Sequence, residues 1–163
     1  MDQENNRHAV EALLAEYKNV VIAFQKVIAN LSFPNLSTVV DSSTAIANEQ
    51  SIQSILTNVI SSGYTYSGYI RKLKKIPDNR PGKMTKMSAT EYYSDLNDLI
   101  AYTDQTFQNI EDDELEEFDE KKKITTSLGH VYDIEQMMEH AVSEFVRHRR
   151  QIEKFRKKLE MTS

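Results

Sequence analysis

IEQMMEHAVSEFVRHRRQIEKFRKKL, residues 134–159, is the stretch whose reading decides the fold. Its apolar seam runs Ile134, Met137 or Met138, Ala141, Phe145, His148, Ile152, Phe155 and Leu159. From Ala141 the steps are 4, 3, 4, 3 and 4, the spacing of a helix that packs against others along one stripe. The pattern predicts a helix from about His130 to Lys158.

Three more helical patterns lie upstream. The first runs from about Gln3 to Leu31, with Val10, Leu13, Leu14, Tyr17, Val20, Val21, Phe24, Val27, Ile28 and Leu31 on its stripe. Pro34 is expected to stop it, because the ring disfavours helical geometry in Phe33. The second runs from about Glu49 to Lys75, and its Gly63 and Gly68 would permit close helix approach. The third follows Ser88, which with Glu91 three residues on reads as a capping box, and ends near Asn109.

The polar stretch from Ser32 to Asn48 and the turn-rich Pro77–Gly82 read as loops. Eight acids between Glu111 and Glu120, then Lys121-Lys122-Lys123, read as a solvated loop. Four long amphipathic patterns imply an all-α four-helix bundle, a single domain over residues 1–163. The long connections after the first and third helices would cross a bundle end or cover a pocket.

Composition narrows the chemistry. The chain has 163 residues, no Cys, 4 Gly, 3 Pro and 4 His, and a net charge of −5. Without Cys there is no disulfide scaffold, Cys-ligated zinc, iron–sulfur cluster or thiol nucleophile. Few Gly and Pro argue against a turn-rich β fold and a Gly-rich phosphate loop. The polar N-terminus lacks a signal-like apolar core, and the apolar run Val20–Phe24 is far too short to span a bilayer. An acidic balance disfavours nucleic acid as a partner. The expected setting is the cytosol, with no membrane partner.

His148 is the first candidate site residue, because an imidazole in an apolar seam needs a partner. Glu144 lies one turn earlier on the same face. The two would share a metal or hydrogen-bond to each other. His140 extends the stripe by another turn. Asn58 flanks the second helix's seam and offers one oxygen, a poor ligand for zinc or nickel. Tyr64, Tyr66, Tyr69, Tyr92, Tyr93 and Tyr102 read as core or boundary residues, any of which could line a pocket. The basic run from Arg147 to Lys158 complements a helix C-terminus.

Two segments carry a resemblance: Ser51–Val59, SIQSILTNV, and Glu139–Ile152, EHAVSEFVRHRRQI. Together they resemble the DinB/YfiT-like superfamily, four-helix bundles marked by three His ligands around a divalent metal. The last ligand falls on His148, followed by Arg149-Arg150-Gln151-Ile152 in the family manner. The ligand one turn earlier falls on Glu144, and the second-helix ligand falls on Asn58. The resemblance therefore implies an Asn58, Glu144 and His148 site, either metal-free or holding a weakly bound divalent Ni, Zn or Mn. It implies a degenerate relative of thiol S-transferases that use bacillithiol, mycothiol or glutathione. In these a metal would activate an external thiolate. The alternative is a metal-independent binding or interaction module that takes a small-molecule ligand in the same inter-helix pocket. Whether the chain is an enzyme stays open, and a homodimer is expected. A ferritin-like di-iron bundle is set aside, since no helix supplies Glu-x-x-His.

Overall fold

The computed structural model describes residues 5–43 and 49–161. The expected helix start at Gln3 and the end of the first connection, Thr44 to Asn48, lie outside them. The described residues form five helices: α1 (His8–Ile28), α2 (Phe33–Ser37), α3 (Ile52–Lys74), α4 (Ala89–Thr106) and α5 (Ile134–Met161). A small hairpin, β1 (Ile124–Thr125) and β2 (Val131–Tyr132), precedes α5. Its antiparallel register pairs Ile124 with Tyr132 and Thr125 with Val131. The chain is an all-α bundle with this one two-stranded addition.

The four long helices form where the periodicity places them. Their stripes converge on one core, in which Phe145 meets Tyr17 and Phe24 edge-on at 5.8 and 5.4 Å. Each such buried side chain contributes about 1.5–3 kcal/mol. Helix α1 packs against α5 and α4, and α3 packs against the same two. So α1 and α3 stand on one diagonal, and α4 and α5 on the other.

Side-chain pairs fix the directions. Arg156 donates to the Val27 carbonyl at 2.6 Å, while Glu135 N–H donates to Leu115 O beside the start of α1. Helices α1 and α5 therefore run parallel. Thr57 meets Tyr92 at 2.6 Å, Ser67 meets Thr103 at 3.2 Å and Arg71 meets Thr106 at 2.7 Å, so α3 and α4 also run parallel. Gln25 reaches the Tyr93 carbonyl and Arg7 the Phe107 carbonyl, which sets α4 antiparallel to α1. The order is up, down, down, up. Both long connections thus cross a bundle end between diagonal helices, and residues 75–88 form a strap back along the bundle.

Several local expectations need correction. Helix α1 ends at Ile28, well before Pro34, and Pro34 instead sits in the first turn of α2. A first-turn Pro loses no helical hydrogen bond, and Ser32 caps that turn through Asn35 N–H. The last helix begins at Ile134, not His130. Gly129, at φ +87°, closes the hairpin turn, and Asp133 and Gln136 then cap α5 reciprocally at 2.8 and 3.0 Å. At α4 only half the expected box forms. Ser88 accepts from Glu91 N–H, but the Glu91 carboxylate takes the Met87 amide. Gly63 does admit α4, since a Cβ there would lie 2.6 Å from Leu99 Cδ2. Gly68 admits the strap instead, because a Cβ would meet Arg80 and Asp78 at 2.7 Å.

The acidic segment is also more than a solvated loop. Asp112 accepts the amides of Ala9 and Val10 at 3.1 and 2.9 Å and caps α1. Burial works against its charge, but those two amides outweigh it and hold the carboxyl below its ordinary range. Arg7 answers at the end of α4, donating to the carbonyls of Phe107, Gln108 and Ile110. An acid at a helix start and a cation at a helix end each oppose the local dipole. Glu114 pairs with Lys74, and Leu115 is buried.

Candidate functional site

Glu144 and His148 come together as their spacing predicts. His148 Nε2 lies 3.2 Å from Glu144 Oε2, and the imidazole is almost wholly buried. The third member of the cluster is Arg147. Its Nη2 is 2.9 Å from Glu144 Oε2 and 3.0 Å from His148 Nε2, closing a triangle with the pair. Its Nη1 lies 3.5 Å from Glu49 Oε1, just before α3. On the far side of the ring, His148 Nδ1 is 3.0 Å from Gln151 Oε1. The ring thus has the Gln151 amide on one side and the ion pair on the other.

The electrostatics follow from this geometry. The hydrogen bond with His148 is the largest influence on Glu144. Burial pushes the other way, and Arg147 adds to the first, holding the carboxyl down to about 2. Arg147 is raised in turn by its hydrogen bond to Glu144. Asn58 lies half-buried on α3, one turn before Ser62 and two before Tyr66. Among the described residues, no three His, Cys, Asp or Glu side chains gather as metal ligands would.

One to two turns toward the start of α5, a cavity of about 170 Å³ opens between α3, the hairpin and α5. Tyr66 and Tyr69 line it from α3, His130 and Tyr132 from the hairpin, and Met137 and His140 from α5. His140 stands at the centre of the ring cluster. It lies 5.3 Å from Tyr66 at 86°, 5.7 Å from Tyr132 at 31°, and 6.4 Å from His130 at 60°. The hairpin tip is tied down where Ser127 N–H donates to the Tyr69 hydroxyl at 2.9 Å. Burial, then the nearby Glu144 charge, push the Tyr66 phenol up to about 12. That coupling links the cavity to the ion-pair cluster.

The sequence identified Glu144 and His148 but missed Arg147, which reads as one more surface cation in a basic run. It missed His130 and Tyr132 as well, because both fall inside a stretch read as helix. The signal that could have found them was the Gly129 turn followed by Asp133 and Gln136. Those residues mark a helix start four residues later than the apolar pattern does.

No helix among the described residues is long and apolar enough to cross a membrane. No family model matches this chain, nor does any curated protein or any solved structure.

Proposed function

We propose that this chain is a divergent DinB/YfiT-like bundle that works as a metal-independent small-molecule-binding module. The observation that carries this reading is the Arg147 guanidinium. It lies within 3.0 Å of both the Glu144 oxygen and the His148 nitrogen that a metal would have to bridge. A cation placed there would displace the guanidinium and then face its charge. The donor set points the same way. Asn58 and Glu144 offer oxygen where the superfamily offers imidazole, which suits nickel or zinc poorly. The superfamily's thiol-transferase chemistry depends on a metal to lower the thiol pKa. The cavity bounded by Tyr66, Tyr132 and His140 is the ligand pocket in this reading, and the expected homodimer belongs to the same proposal.

The test is metal content and uptake on protein purified without a His tag. Elemental analysis should find no stoichiometric transition metal. Calorimetric titration with Ni²⁺, Zn²⁺ or Mn²⁺ should give no saturable heat. Stoichiometric uptake that is lost in His148→Ala would overturn the proposal in favour of a metal-dependent transferase.

A further inference from the structure

We infer that the cavity between α3, the hairpin and α5 binds a small alkylated ammonium ion, held by the faces of Tyr66, Tyr132 and His140. This rests on the reading of that cavity as the ligand pocket and adds the class of ligand. Three observations select the class.

The first is the wall geometry. Tyr66 and His140 meet at 86°, while Tyr132 lies 31° from His140. Tyr66 meets His140 edge to face and Tyr132 lies at a shallow tilt to it, so the rings turn their faces in more than one direction. Aromatic faces at the wall of a cavity attract a cation through the ring quadrupoles. The Met137 thioether adds a polarizable contact.

The second is the charge pattern. Among the described residues, the lining contains no Asp, Glu, Lys or Arg. The lining offers an anion no lysine or arginine, and of the two charges that reach the Tyr66 phenol the Glu144 carboxylate outweighs Arg147. A primary ammonium carries three N–H donors and prefers carboxylate acceptors. An alkylated nitrogen has few or none to satisfy, so hydroxyls and ring faces suffice.

The third is size and access. A cavity of about 170 Å³ is comparable with one of about 150 Å³ that holds a single six-membered ring. Tetramethylammonium and choline are of that scale. His130 is exposed, so the cavity reaches solvent beside the hairpin.

The experiment is calorimetric titration of the full chain, in chelator, with tetramethylammonium, choline and the neutral isostere in which carbon replaces choline's nitrogen. Choline should bind at least about tenfold more tightly than the isostere. Tyr66→Phe and Tyr132→Phe keep the ring faces and should bind within about twofold of the parent. Tyr66→Leu and Tyr132→Leu should lose about tenfold, while Tyr93→Leu, an exposed tyrosine on α4, should change nothing. Should a Leu variant fail to fold, the isostere comparison and the Phe variants decide alone. Equal binding of choline and its isostere would overturn the inference, as would no binding of either cation at millimolar concentration. Either result leaves the metal-free proposal standing, which falls only to stoichiometric metal uptake.

Discussion

Glu144 owes its acidity to two neighbours on its own helix, His148 one turn on and Arg147 three residues on. Its folded value of about 2 lies below the ordinary 4.5. The cluster's contribution is therefore complete above about 4.5 and is lost as pH falls toward 2. Glu144→Gln should lower stability by about 1 kcal/mol near neutral pH, since water still reaches one side of the side chain. Near the folded pKa the deficit should vanish. Urea midpoints at the two pH values check this, and an equal deficit at both would assign the effect to packing instead. At this scale the sequence was half legible. An i, i+4 acid–imidazole pair is written in the spacing, so Glu144 and His148 could be named. Arg147 could not, because a guanidinium on a long flexible stem reaches either solvent or its own helix, and spacing does not choose between them.

Elements are held by side chains that reach between them, and Arg71 is the clearest case. It is buried, and among the described residues no carboxylate bonds its guanidinium. Instead it donates to Thr106 Oγ1 at 2.7 Å, the Pro77 carbonyl at 2.9 Å and the Tyr102 carbonyl at 3.1 Å. Its guanidinium carbon lies 3.7 Å from the Tyr102 ring centroid. One side chain thus fixes the end of α4, the end of α3 and the start of the strap. Arg71→Lys should cost about 2–4 kcal/mol, because an ammonium cannot span three acceptors and would leave some unsatisfied in the interior. Chemical denaturation would measure the loss, and a change under 1 kcal/mol would show that water replaces the missing donors. The long helices were legible because many turns repeat one stripe. Helix α2, at five residues, is too short to show a period. The hairpin strands are two residues each; the first lies in the connection after the third long helix and the second was absorbed into the neighbouring helical pattern. The capping signals at Ser32 and Asp133 outweigh periodicity there, since each satisfies helix-end amides that nothing else reaches.

The direction of each helix was not legible at all, because an amphipathic stripe looks the same read either way up. The parallel run of α3 and α4 makes the strap a necessity of the whole molecule. Thr57 pairs with Tyr92 and Arg71 with Thr106, so the start of α4 lies level with the first turns of α3. The chain must climb back over about 30 Å of helix at ~1.5 Å per residue. Residues 75–88, at about 3.3–3.6 Å each, reach well beyond that when extended. The slack is taken up where Arg80 reaches the Tyr64 carbonyl and Lys86 N–H reaches the Tyr92 hydroxyl. Deleting Pro81–Lys83 leaves about 38 Å of reach, enough to connect the same two helix ends. Deleting Asn79–Lys86 leaves about 21 Å, which cannot connect them unless α4 reverses or unwinds. The short deletion should therefore keep the helical circular dichroism and a single thermal transition, with a modest drop in Tm. The long one should lose the near-ultraviolet tyrosine signal that comes from the packed Tyr64–Tyr102 and Tyr92 contacts. If both deletions melt alike and keep that signal, α3 and α4 cannot run parallel, and the up-down-down-up order fails with them.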